Sequence, residues 1–315
     1  LADLRELNSI TVRNPPPNYP PLDVLTLKSS GDFAMQFDIS NSFFSCHLSP
    51  SSRHKTGFWY RGMILVYLRM IQGFCDSSFH QQKMFSIVFG DKTLKEFQEL
   101  HPDFNISNLK KKKQNYSDDM LVFGSDTDRK TYLMNIRAVF FCMHKHKLKI
   151  QPHKTRFFAR TYNFLGSRIS LSDKTVKVES WKIDAIQKWH TPKSKIELLS
   201  RLCCLQYIGQ HLTNWKLVAA ELFELLKEEG PFIWKLNHEK RWNELKFLAK
   251  VHLSLTIPDP DHFLVCSSDA SQIGCSAILM SFDPEKKILL PVACLSRLFS
   301  RHILRRNILG KEATA

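Results

Sequence analysis

The stretch Tyr116-Ser117-Asp118-Asp119-Met120-Leu121-Val122-Phe123 decides how this chain is read. Two adjacent carboxylates stand between a polar, turn-like stretch and a short apolar run. Side chains alternate faces along a strand, so neighbouring acids rarely share a partner inside one. At the tip of a hairpin they converge, and converged carboxylates repel unless a cation lies between them. Magnesium suits such a place, because it takes hard oxygen ligands and keeps substrate phosphates among them. Asp is also a common turn residue, so a solvated Asp-Asp turn is the plain alternative.

A second acid lies upstream. Ala34-Met35-Gln36-Phe37-Asp38-Ile39 reads as a strand ending in an acid, followed by Ser40-Asn41-Ser42-Phe43-Phe44. Nucleotidyl transfer uses about two metal ions, roughly 4 Å apart, held by acids that a rigid scaffold gathers. One acid on a first strand and an acid pair on a later hairpin meet that requirement.

The 315 residues suffice for two or three domains, and 43% hydrophobic content supports sizeable cores. The formal net charge of +15 points to an anionic partner, most often nucleic acid. No run of roughly 18 apolar residues exists, which excludes a membrane-spanning helix. No signal or transit sequence is visible at the start. The eight cysteines form no C-x-x-C pair, so a zinc ribbon is excluded, and their scatter through apolar segments reads as buried, reduced thiols. Cys142-Met143-His144-Lys145-His146 with His153 reads as a basic helix end followed by a strand, not as a metal site. The sequons are Asn105-Ile106-Ser107 and Asn115-Tyr116-Ser117, and the second overlaps the Tyr116–Asp119 stretch, against a secretory route.

Residues 13–22 are proline-rich and read as an extended connector. From about 33 to 170, strands and helices alternate. Asp126 or Thr127 is expected to cap a helix running to about His146, with Leu133, Ile136, Phe140 and Met143 on its apolar face. Lys110 to Lys113 read as a solvated loop that could touch phosphates. Residues 172 to about 250 read as helical: Ser194-Lys195-Ile196-Glu197 is a capping box, and Leu198, Leu202, Leu205 and Ile208 make one face. A further helix is expected from about Trp215 to Glu229, stopped by Gly230-Pro231. Past a boundary at Pro258-Asp259-Pro260, strands are expected at Phe263–Ser268, Ser276–Met280 and Pro291–Leu295.

Together these residues resemble the reverse transcriptases, of the kind in gypsy-type LTR retrotransposons and retrovirus-like pol polyproteins. The resemblance is collinear and covers almost the whole chain. Asp3-Leu4-Arg5-Glu6-Leu7-Asn8 resembles the family's D-x-R-x-L-N segment, and Phe37-Asp38 its first catalytic motif. Lys55-Thr56-Gly57-Phe58 resembles the T-A-F strand. Gln72-Gly73-Phe74, then Phe79-His80-Gln81 and Met84, resemble the P-Q-G-F…F-Q…M helix. Tyr116 to Asp119 resembles the Y-x-D-D box, Leu148 to Lys154 the L-x-L-x-x-x-K motif, and Phe164-Leu165-Gly166-Ser167-Arg168-Ile169 the primer grip. Ser268-Asp269-Ala270-Ser271 with Gly274 resembles the first strands of a tethered ribonuclease H.

The resemblance implies an α+β fold: a right-hand polymerase palm with partial fingers, a helical thumb and a truncated ribonuclease H-like α/β domain. The implied boundaries are 1–171 for partial fingers and palm, 172–257 for the helical thumb or connection, and 258–315 for the N-terminal part of the ribonuclease H-like domain. The implied activity is RNA-directed DNA polymerase, adding deoxynucleotides to a primer 3′-end. Asp38, Asp118 and Asp119 would bind two Mg2+ ions, with Mn2+ as a substitute, and Lys154 would protonate the leaving pyrophosphate. Phe43 would be the steric gate against a ribose 2′-hydroxyl. Gln72, Tyr116 and Arg5 would contact substrate, and Phe164, Leu165 and Gly166 the primer backbone. Asp269 and Glu312 match two acids of a partial ribonuclease H site. Implied partners are a primer–template duplex of RNA or DNA and deoxynucleoside triphosphates, with no membrane. The implied location is intracellular: cytoplasm, a virus-like particle or the nucleus.

The chain departs from the family pattern at several places. Ile71 replaces the proline of P-Q-G, Ser117 stands where an aliphatic residue is usual, and Cys203-Cys204 replaces a glycine-containing turn. Residues 108–115, which precede the acid hairpin, are polar where the family has an apolar strand, and basic fingers residues would lie upstream of Leu1. These departures keep open a second reading: a catalytically degenerate or co-opted retroelement copy that only binds nucleic acid. A viral RNA-dependent RNA polymerase shares the acid hairpin, but Phe43, the primer-grip segment and Asp269 speak against it.

Overall fold

The computed structural model describes residues 3–14, 31–259, 261–306 and 308–313. The proline-rich connector expected over 13–22 lies outside the described residues from position 15 onward. The chain divides into two compact units, one up to Arg160 and one from Thr161.

The first unit contains α1 (Arg5–Ile10), β1 (Phe33–Asp38), α2 (Pro50–Arg53), β2 (Phe58–Tyr60), β3 (Met63–Leu65), α3 (Ser77–Val88), α4 (Asp91–Leu100), α5 (Ile106–Lys112), β4 (Lys113–Tyr116), β5 (Asp119–Gly124), α6 (Arg129–Lys145) and β6 (Arg156–Ala159). Four strands form an antiparallel sheet in the order β4-β5-β1-β6. β1 is central and almost continuously buried, which is why its run Phe33-Ala34-Met35-Gln36-Phe37 carries little polar alternation. Its odd-numbered residues Phe33, Met35 and Phe37 join Met120 and Val122 of β5 in one core with residues of α3, α4 and α6. Each such side chain, once buried, stabilises the fold by about 1.5–3 kcal/mol. The even-numbered residues of β1, ending in Asp38, therefore face away from those helices.

Two local expectations change here. α6 is capped by Asp128, whose carboxylate accepts from the Thr131 amide at 3.1 Å, rather than by Asp126 or Thr127. Asp126 instead pairs with Arg129 and Arg160. The buried stripe of α6 is Tyr132, Ile136, Val139 and Met143, while Leu133 is exposed. The packed arc is turned by about one residue, because Tyr132 fills the space beside Phe33 with ring centroids 4.8 Å apart. The lysine run is not a loop either. Asn105 caps α5 through the Asn108 amide, Lys110 pairs with Asp91 at 2.5 Å, and the Lys113 ammonium lies 4.4 Å over the Phe89 ring.

The second unit holds β7 (Thr161–Phe164), β8 (Ser167–Ser170), β9 (Thr175–Val178), α7 (Ser180–Gln187), α8 (Lys195–Tyr207), α9 (Trp215–Val218), α10 (Ala220–Lys227), α11 (Leu236–Lys250), β10 (Leu255–Thr256), β11 (Phe263–Ala270), β12 (Gly274–Asp283), β13 (Ile288–Leu298), α12 (Arg301–Leu304) and α13 (Ile308–Glu312). Its sheets have the orders β10-β9-β8-β7 and β11-β12-β13. Helix thus begins at Ser180, not 172, because the β-branched alternation Thr175-Val176-Lys177-Val178 pairs with β8. The Ser194 cap forms: its hydroxyl accepts from the Glu197 amide at 3.2 Å. Leu198, Leu202, Leu205 and Ile208 are buried together with Trp215 and Trp242. The helix expected from Trp215 to Glu229 is two short helices that meet at Ala219. α9 packs on β13 and α10 on α8, and one straight helix could not serve both. Cys203 and Cys204 lie on the exposed side of α8 and Cys266 is exposed on β11, so the cysteines are only partly buried.

Candidate active site

The acid hairpin folds as its residues dictate. β4 ends at Tyr116 and β5 begins at Asp119, leaving Ser117-Asp118 as a two-residue turn. Ser117 adopts φ 52°, the positive φ that such hairpin turns require. Tyr116 is paired across with Asp119, and Asp119 with Asp38. The three side chains therefore stand in one row across β4, β5 and β1, on the sheet face away from the helices. Residues directly opposed in this way have Cβ atoms about 4.5–5.5 Å apart. Asp118 joins them through the turn, where the Ile39 amide donates to its carbonyl at 3.0 Å.

The electrostatics of the corner follow from this packing. Burial, then the charges of Asp118 and Asp38, push the Asp119 carboxyl from its ordinary 3.8 up to about 6. Lys154 opposes that rise. Lys154 ends a 3-10 turn, Pro152–Lys154, that backbone bonds hold against β1: the Gln151 amide donates to the Asp38 carbonyl at 3.0 Å, and the Ser40 amide to the Lys149 carbonyl at 2.7 Å. Its ammonium reaches the Asp38 carboxylate at 3.1 Å while staying largely exposed.

The corner fits a hard divalent cation in donor chemistry: three carboxylates, one of them raised by burial first and then by the charges of the other two. It is not a closed cage. Among the described residues no three metal-binding side chains are gathered tightly enough to hold an ion alone. The remaining ligands would be substrate oxygens and water, as is usual for magnesium.

The other expected site residues fall in separate places. Phe43 begins a 3-10 turn five residues after Asp38 and is half-buried. Gln72 is exposed beside Gly73, whose φ is 91°. Arg5 lies on α1 with its guanidinium on Asp3 at 2.6 Å, and no described contact ties it to the acid corner. In the second unit, Phe164 is buried, and Leu165 and Gly166 form the β7–β8 turn with φ of 46° and 63°. Asp269 is exposed on β11. Glu312 is exposed on α13, which packs against β11, and the adjacent Lys311 ammonium donates to the Gln272 carbonyl, two residues past that strand, at 3.1 Å.

Several supporting contacts escaped the sequence reading, although Asn8 and Gln81 stand within its motifs. Asn8 clamps the Gln72-Gly73-Phe74 loop: its amide donates to the Gly73 carbonyl and its carbonyl accepts from the Cys75 amide, both at 2.9 Å. Gln81 is buried and bonds Ser42 and Ser117. The Lys182 ammonium donates to the Gly166 carbonyl at 2.5 Å, and the Tyr207 hydroxyl to the Leu165 carbonyl, so α7 and α8 both grip that turn. For Asn8 and Gln81 there was a signal, their places in the D-x-R-x-L-N and F-Q motifs, and for Gln81 also its spacing between Ser77 and Phe85 on the inward face of α3.

The first unit is an α+β sheet of polymerase type with an acid corner at one end. Residues 1–169 match the model of the reverse transcriptase (RNA-dependent DNA polymerase) family, and the chain belongs to that family. Residues 234–315 match the RNase H-like domain found in reverse transcriptase. The chain is 25% identical over its whole length to the retrovirus-related Pol polyprotein from transposon 297 of Drosophila melanogaster, of which it spans 27%. It is 24% identical over 94% of its length to the Gag-Pol polyprotein of baboon endogenous virus (strain M7), spanning 17% of that protein. Among solved structures, the foamy viral protease-reverse transcriptase in complex with RNA/DNA hybrid superposes with a TM-score of 0.75 at 20% identity, over 99% of this chain and 39% of that one. The chain thus spans about a quarter of the first of these polyproteins. No helix among the described residues is long and apolar enough to cross a membrane.

Proposed function

We propose that this chain is the polymerase part of a retroelement Pol protein and adds deoxynucleotides to a primer 3′-end on an RNA or DNA template. The observation that carries this reading is the row Asp38, Asp119 and Tyr116, with Asp118 at the turn, inside a chain of the reverse transcriptase family. Asp38, Asp118 and Asp119 would hold two magnesium ions, or manganese in their place. When bound, the metal would acidify the primer hydroxyl and neutralise charge on the triphosphate. Lys154, 3.1 Å from Asp38 and open to solvent, would give a proton to a leaving pyrophosphate. Its ammonium also compensates the carboxylates while no cation is bound. Phe43 would exclude a ribose 2′-hydroxyl, and Gln72, Tyr116 and Arg5 would line the path of the incoming nucleotide.

In the second unit, Phe164, Leu165 and Gly166 would position the primer backbone on a turn fixed by Lys182 and Tyr207. Asp269 and Glu312 would be a partial ribonuclease H pair. Residues 1–171, 172–257 and 258–315 would serve as palm with partial fingers, thumb and the start of the ribonuclease H-like domain. The primer–template duplex and deoxynucleoside triphosphates are the partners, and the cytoplasm, a virus-like particle or the nucleus the setting. A primer-extension assay with magnesium tests the reading. Asp118→Asn should abolish extension while duplex binding persists; extension that survives this change would remove the acid corner from the chemistry, and binding without extension by the unaltered chain would favour a non-enzymatic nucleic-acid binder.

A further inference from the structure

Gln81 is the least explained buried group near the acid corner. It sits one turn into α3, between Ser77 and Phe85 on the inward face, and is 1% exposed. A primary amide buried there costs free energy unless both its ends are bonded. Both are: Nε2 donates to the Ser42 hydroxyl at 2.5 Å, and Oε1 accepts from the Ser117 hydroxyl at 3.0 Å. The amide also borders a cavity of about 190 Å3 between Gln82, Phe85, Asn115 and Tyr116. Packing alone therefore does not choose its rotamer, and the two hydrogen bonds do.

The two partners are far apart in sequence and each adjoins a residue of the site. Ser42, itself 3% exposed, precedes Phe43. Ser117 precedes Asp118 and carries a positive φ of 52° without being glycine. An aliphatic residue at 117 could not give Oε1 its donor. The serine, which departs from the family pattern, is thus matched to Gln81.

We infer that Gln81 is a positioning residue that ties the Phe43 turn to the Asp118 turn through one buried amide, so that the sugar-facing ring and the acid corner keep a fixed spacing. This inference rests on the polymerase reading for its functional consequence, but the linkage itself does not. When the amide is lost, the two turns relax independently, and selection against ribonucleotides falls before incorporation of deoxynucleotides does.

The test uses the full chain and Gln81→Met, which keeps the volume and removes both bonds, together with Ser117→Ala and the double variant. Hydrogen exchange resolved to peptides covering 42–46 and 115–119 is read first. The amides of both segments should exchange several-fold faster in Gln81→Met, by about 2- to 12-fold for loss of a hydrogen bond of typical net strength. Protection lost in one segment only, or in neither, overturns the linkage whether or not the chain polymerises. In primer extension, Gln81→Met should lower the preference for deoxy- over ribonucleotides by a similar factor, and Ser117→Ala should add little to Gln81→Met. Full additivity of the two changes, or an unchanged preference in a chain that does extend primers, would also overturn it. Absence of extension by the unaltered chain would count against the polymerase reading, not against the linkage.

Discussion

Asp119→Asn should make the first unit more stable at neutral pH while abolishing extension. In the fold, burial and the charges of Asp118 and Asp38 raise the Asp119 carboxyl from 3.8 to about 6. That rise corresponds to about 3 kcal/mol. The sign follows from linkage: a carboxyl raised in the fold contributes stability that is complete below its unfolded value. That contribution is lost as pH rises from about 4 through about 6. Above that window Asp119 is ionised in both states, and the folded chain bears the whole penalty. An asparagine mimics the neutral carboxyl and avoids it. The gain has a ceiling of about 3 kcal/mol, trimmed by solvent because Asp119 is only half-buried. Urea unfolding of both chains, followed by a probe in the first unit, measures the gap. It should be largest above about pH 7, fall to about half near pH 5, and close below about pH 4. Magnesium, which would bind only the folded acid corner, should raise the stability of the unaltered chain and not of the variant. A gap that is absent at neutral pH, or that does not shrink on acidification, would refute the electrostatic account of the corner.

Three further outcomes are expected. Phe43→Val should keep the fold and admit ribonucleotides in primer extension; because Phe43 is half-buried, a loss of stability above about 3 kcal/mol without any change in sugar choice would mark it as a core ring instead. Duplex affinity should fall steeply with salt, log affinity dropping by about 0.7–0.9 for each phosphate neutralised per unit of log salt, as the +15 charge requires; a flat salt titration by fluorescence anisotropy would contradict phosphate binding. The 315-residue chain should not cleave RNA in a hybrid, since the proposed pair Asp269 and Glu312 supplies two carboxylates where such cleavage uses about two metals held by several; magnesium-dependent cleavage lost on Asp269→Asn would disprove this.

Much of the acid corner was legible before any coordinates. The alternation of β1 and β5 places Asp38 and Asp119 on one face once the strands pair in register, and strand periodicity is local. The Ser194 cap and the Leu198, Leu202 and Leu205 face were legible for the same reason, since helix caps and stripes are written within one or two turns. The misses share a cause. Lys110 to Lys113 look solvated in isolation, yet Asp91 and Phe89 of a neighbouring element claim two of them. The α6 stripe turned by a residue because Phe33 offers its ring to Tyr132. The Trp215–Lys227 stretch broke at Ala219 because β13 and α8 lie in different directions. The sequence by itself determined which residues could be strand, cap or acid, and the order of motifs that marks the family. The tertiary structure alone decided that Gln81 bridges Ser42 and Ser117, that Lys182 and Tyr207 hold the Gly166 turn, and that burial pushes the Asp119 carboxyl up to about 6. Each of these depends on burial or on partners supplied by another element, and neither is encoded in any local pattern.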